Sequence, residues 1–196
     1  MKHNRTLAAA TGIAVALASI PAMAQNINVT RSVLEGLPYT LAYPEPMQAS
    51  GGGDDPIIVN HPNAPLQCEM SLVPVEDTGW TAETALASLN EAEVAAAWAE
   101  TLPGFAVTGK GLAAYQDTTA LLYEGDSTGS PIDLPLTLVH TETVSNGRGY
   151  VLECLYATAE AERARPVVDF IIANFSTRAD ADCCVGLAVE TDEPAP

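Results

Sequence analysis

Residues 136–157 read LTLVHTETV (136–144), SNGR (145–148) and GYVLECLYA (149–157). An Asn-Gly pair between two alternating apolar runs is the strongest short signal for a β-hairpin with a two-residue turn. The turn at Asn146-Gly147 therefore predicts two antiparallel strands, the first from about Leu134 to Val144. Along the second arm Tyr150, Leu152, Cys154 and Tyr156 recur at every other position, so one face of this hairpin belongs to a core.

Working outward from the hairpin, Gly111 to Tyr115 and Thr118 to Tyr123 are also strand-like. The intervening GDSTG (125–129) superficially resembles a serine-protease nucleophile motif. That chemistry needs a histidine base and a buried aspartate converging on the serine. Only His61 and His140 follow the leader segment; His61 sits among turn residues in NHPNAP and His140 within an alternating strand. Gly, Asp and Ser in this order are explained by a turn. Further upstream, Leu66, Cys68, Met70 and Leu72 alternate with polar neighbours, which predicts a half-buried strand with an inward cysteine. SGGGDDP (50–56) reads as a surface loop, and YTLAYPEPM (39–47) as a strand from Tyr39 to Tyr43 that breaks at Pro44 and Pro46.

Two helical segments complete the pattern. Between Thr81 and Gly104 an alanine-rich stretch predicts a helix pair. Its second member opens at Asn90 with Glu93 three residues on, carries an apolar stripe through Val94, Ala95, Trp98, Ala99 and Leu102, and is stopped by Pro103-Gly104. From about Ala161 to Phe175, Val167, Phe170, Ile171, Asn174 and Phe175 recur at three- and four-residue steps, so this helix lays an apolar face on the sheet. The prediction is a single α+β domain, an antiparallel β-sheet flanked by helices.

YTLAYPEPM, GRGYVLECLY with its preceding strand, and the closing VVDFIIANFS together resemble the family that contains PsbP, a photosystem accessory subunit, and the Ran-binding Mog proteins. The resemblance covers most of Gln25 to Ser176, with Met47 standing where that family carries a tryptophan. It implies a binding or assembly module and transfers no catalytic residue. The chain also resembles small exported proteobacterial proteins of unassigned function.

The first 24 residues have the form of a secretory signal peptide: Lys2 and Arg5, an apolar run from Leu7 to Ile20, then Ala22-Met23-Ala24. Cleavage after Ala24 leaves residues 25–185 as the domain and 186–196 as an acidic, proline-containing tail. The run is shorter than the roughly 20 residues a spanning helix needs, so no membrane insertion is expected and the periplasm is the predicted compartment. The full chain carries a net charge of −17, and removal of the leader leaves 6 basic against 25 acidic residues. Such a surface repels nucleic acid and anionic lipid; it leaves a basic protein or divalent cations as partners, and scattered acidity of this kind also serves simply to keep an exported protein soluble.

Cys68, Cys154, Cys183 and Cys184 all survive cleavage. An even number in an oxidising compartment predicts two disulfides among three possible pairings. A bond between neighbours spans Cα atoms about 3.8 Å apart, short of the usual disulfide range, and closes almost no loop. Bridges from Cys183 and Cys184 to Cys68 and Cys154 close long loops, so the expectation is that the two neighbours staple the chain end to the sheet. No C-x-x-C is present, and Asp180 and Asp182 disfavour a thiolate. No catalytic, cofactor-binding or metal-ligating residue is assigned; Asp180-x-Asp182 lacks the remainder of a calcium loop. The functional expectation is a non-catalytic binding or accessory module of an envelope complex. A thiol-redox or metal-handling protein built on Cys183 and Cys184 is the alternative.

Overall fold

The computed structural model describes residues 26–32, 37–52, 55–75 and 79–184. The predicted signal peptide (1–24) and acidic tail (186–196) lie outside them. The hairpin across Asn146-Gly147 forms the middle of the main sheet. Leu136–Ser145 and Arg148–Ala157 pair antiparallel across Asn146 and Gly147, both with positive φ (53° and 72°), as a type I′ turn requires.

The strands in chain order are β1 (Ile27–Ser32), β2 (Tyr39–Pro44), β3 (Gln48–Gly51), β4 (Ile57–Asn60), β5 (Leu66–Pro74), β6 (Ala106–Ala114), β7 (Thr119–Asp126), β8 (Leu136–Ser145) and β9 (Arg148–Ala157). The helices are α1 (Ala82–Ser88), α2 (Glu91–Trp98) and α3 (Ala161–Ala173). Seven strands form one antiparallel sheet in the order β3-β4-β5-β9-β8-β7-β6, and β1 pairs with β2 in a separate ribbon. The α+β prediction holds.

The two sheet faces differ. On the first, Cys68, Met70, Val139, Tyr150, Leu152 and Cys154 are buried beneath α3 and β2. The helix contributes Val168, Ile171 and Ile172, followed by Phe175. Arg165 of α3 pairs with Glu124 of β7 and with Asp169, tying the helix to the sheet. Met47 is 1% exposed and fills this core. On the second face α1 and α2 cover only the β6–β8 side, where Leu102, Phe105, Tyr123, Leu136 and Leu138 are buried against Val94, Ala95 and Trp98.

Three expectations are corrected. The 50–56 stretch is not all loop: Ser50 and Gly51 belong to β3, whose four residues are all exposed and which is held by pairing with β4. The capping box lies at Thr81 with Thr84, not at Asn90 with Glu93. Asn90 still caps α2, its side chain accepting from the Ala92 amide and donating to Glu93.

The third correction concerns the disulfides. Cys68 bonds Cys154, and Cys183 bonds Cys184, so neither neighbour staples the chain end to the sheet. The reason is register: Cys68 and Cys154 stand directly opposite on β5 and β9, pointing to the same face. Their Cα atoms are 4.0 Å apart, as in the closely spaced kind of cross-strand pair. Their bridge spans 86 residues, so the loop-closure advantage credited to the long tail bridges is available without the tail. The chain end is held elsewhere, with Arg31 of β1 donating to the Ala181 carbonyl and Thr40 of β2 to that of Arg178.

Candidate functional site

The polar groups of interest meet on the second face, where alternation along β8 sends His140 and Glu142 to the same side. Register across Asn146-Gly147 sets His140 opposite Glu153, and Glu153 opposite Glu69 of β5. His140 is 6% exposed. Its Nδ1 stands 2.9 Å from Glu153 Oε1 and its Nε2 3.4 Å from Glu142 Oε2. The ring stacks on Tyr123, with centroids 4.3 Å apart, and the Tyr123 hydroxyl accepts from Trp98 Nε1 on α2. Burial works against the imidazolium, but the two carboxylates hydrogen-bond it and attract its charge, and the net shift is upward. Burial likewise pushes the Tyr123 phenol up to about 12, against the opposing effect of the Trp98 hydrogen bond.

This sign fixes a pH dependence. A histidine raised above its unfolded value of about 6.5 contributes stability that is complete below that pH and is lost as pH rises through the folded value. Urea midpoints of the wild-type protein are therefore expected to fall as pH rises from neutral into the alkaline range. In His140→Gln that fall disappears. Equal slopes in the two proteins, or an imidazole NMR titration at or below the ordinary histidine value, would refute the assignment.

A second-face cleft of about 470 Å³ lies between α1–α2 and β7, bordered by Trp80, Leu89, Glu93, Tyr123 and Glu142. At the far end of β5 and β9 is an apolar cavity of about 300 Å³, with Leu136, Leu155 and Ile132 on its walls and His61 on its rim. From the sequence His140 is a half-buried or exposed strand histidine with no ligand at a metal-binding spacing. The signal that finds its partners is the turn: a two-residue loop at Asn146-Gly147 dictates the His140–Glu153 pairing.

The structure does not gather the other sequence candidates into a site. The Ser127 hydroxyl donates to the Leu136 carbonyl and accepts from its amide, serving as turn glue. His61 accepts from the Asn63 amide through Nδ1. Asp180 is engaged by Arg178 in two hydrogen bonds. Among the described residues no group of three or more His, Cys, Asp or Glu is arranged to hold a metal ion.

No family model and no curated protein matches this sequence. Solved structures do. The chain is similar to LpqN, involved in cell envelope biogenesis of Mycobacterium tuberculosis, at 16% identity and a TM-score of 0.52, over 78% of this chain and 91% of that one. It is similar to the cyanobacterial PsbP (CyanoP) of Synechocystis at 10% identity and a TM-score of 0.53, over 82% of this chain and 98% of that one. The fold is PsbP-like, as the resemblance at YTLAYPEPM, GRGYVLECLY and VVDFIIANFS implied.

Proposed function

We propose that this chain is an exported, non-catalytic accessory module that binds a protein partner in the cell envelope. The observation that carries the reading is the state of the second face. Its one buried titratable cluster is consumed by internal pairing of His140 with Glu142 and Glu153, and the sheet beside it is left uncovered by the described helices. Titratable groups satisfied by one another beside an uncovered sheet surface support an accessory role. The PsbP-like fold, shared with a protein of envelope biogenesis, and the leader at 1–24 agree with it.

The test is affinity purification of the exported protein from the periplasmic fraction of its producing cells. A co-purifying protein that is lost as salt is raised is the expected outcome, since exposed charges are screened. An empty eluate at both low and physiological salt contradicts the reading, as does a mature N-terminus other than Gln25 for the export step.

The thiol alternative has one observation in its favour, the pairing of Cys183 with its neighbour at an exposed position. Selective labelling of both thiols under mild reductant would support it. A double Cys183→Ala, Cys184→Ala variant with an unchanged interaction profile separates it from the accessory reading.

A further inference from the structure

Building on the accessory-module reading, we propose that the half of the second face over β5 and β9, which the described helices leave uncovered, docks a partner's amphipathic helix whose apolar stripe is interrupted by lysine or arginine. On these strands the first-face residues Cys68, Met70, Leu152 and Cys154 are at most 1% exposed. Their second-face neighbours Glu69, Ser71, Val151, Glu153 and Leu155 are only half-buried, and Val73 is 43% exposed. A sheet buries its apolar face against another layer. On this face that layer is helical; α1 and α2 supply the β6–β8 part of it, and the cluster beneath them reaches β9 only at Leu155.

The pattern along the open half identifies the occupant. At one end lies the apolar cavity of about 300 Å³, with Ile132 57% exposed beside Leu155. At the other, Val73, Val151 and Trp80 border a smaller pocket of about 100 Å³. Between them Glu69 faces Glu153 across the strands, with Glu142 alongside. Like charges directly opposite destabilise a sheet pair, and His140 engages only Glu153 and Glu142. From Gln67 to Val73 the floor extends about 20 Å, the length of a helix of about 13 residues.

An apolar–acidic–apolar floor is complementary to an apolar–basic–apolar helix. Glu142 and Glu153 share the buried His140. Among the described residues Glu69 has no such partner, and none of the six Lys and Arg residues beyond the leader pairs with any of the three. Lys110 pairs with Glu91, Arg163 with Glu160, Arg165 with Glu124 and Asp169, and Arg178 with Asp180. Arg31 reaches Ala181, and Arg148 lies on the first-face register of β9. A second copy of so acidic a chain is a poor occupant, because the two surfaces repel.

The experiment is site-specific photo-cross-linking in producing cells, using the full-length, exported chain. The cross-linking residue replaces Gln67 or Ser71 on the open floor, or Leu112 on β6 and Glu162 on α3 as controls. Adducts from Gln67 and Ser71 are expected to sequence to an apolar segment bearing lysine or arginine. Their yield should fall about tenfold in a Glu69→Gln, Glu153→Gln variant, the equivalent of about 1.4 kcal/mol for two half-exposed charges. Adducts from the controls alone overturn this site while sustaining the accessory reading. Adducts at no position overturn both. A second copy of the chain, or a segment without a cation, captured at Gln67 and Ser71 overturns the proposed occupant, and an undiminished yield in the variant overturns the role of the carboxylates.

Discussion

Replacing Cys68 and Cys154 together by alanine is expected to lower the unfolding free energy by about 4–5 kcal/mol. The bridge spans 86 residues, and the chain-entropy model assigns a loop of that size a stabilisation of this order through the unfolded state. Few small domains hold more than about 5–15 kcal/mol in total, so the variant should unfold near physiological temperature. The same double replacement at Cys183 and Cys184 should change stability by less than about 1 kcal/mol, because a bond between neighbours constrains almost no loop. Urea unfolding of the two variants, with non-reducing peptide mapping of the parent, checks both statements. A map joining Cys68 or Cys154 to the chain end, or the larger loss appearing in the Cys183/Cys184 variant, would restore the stapled-tail arrangement.

That reversal shows where sequence reasoning succeeds and where it stops. The strands β5 and β9 were legible because each buries one face and exposes the other to some degree, which leaves a period of two; β8, buried on both faces from Leu136 to Thr141, was legible through the Asn146-Gly147 turn that follows it. The helices were legible because their stripes meet the sheet at helical spacing, and Asn90 and Pro103-Gly104 punctuate them. In β3 there is no such trace: all four residues are exposed, and Gly51 adopts φ 83°, so only backbone pairing with β4 makes it a strand. Conversely, all six residues of β2 are buried, because the strand shares the first-face core with α3 and the sheet; the visible alternation of YTLAY carries no inside and outside. The His140 cluster needed register as well as period. That register was available from the turn, whereas the β5–β9 pairing that joins Cys68 to Cys154 and aligns Glu69 with Glu153 crosses some 80 residues of intervening chain. No local signal reports such a pairing.

Phe175→Ala is expected to cost about 3–5 kcal/mol, comparable to loss of the long disulfide. Phe175 follows α3, is 0% exposed and is the point where three elements converge. Its ring packs edge-on against Tyr115 at 4.7 Å between centroids and tilted against Tyr150 at 6.0 Å. Such aromatic pairs add about 0.5–1.5 kcal/mol beyond buried area. Its backbone carbonyl accepts from the Gln116 amide, and the next residue, Ser176, exchanges hydrogen bonds with Thr40 of β2. A shrunken side chain therefore leaves a cavity beneath the same segment that holds the β1–β2 ribbon against the sheet. The thermal midpoint should fall by roughly 6–20 °C, given about 2–4 °C per kcal/mol for a domain of this size. Phe175→Leu, which keeps most of the volume, should lose much less, while an exposed change on α3 such as Glu162→Gln should be nearly silent. A Phe175→Ala protein within 1 kcal/mol of the parent would mean that α3 and the ribbon do not depend on this contact. The second face should be indifferent to the change, since its layer of α1 and α2 packs on Leu102, Phe105 and Tyr123. The partner-binding test can thus be run on a protein whose first face has been weakened.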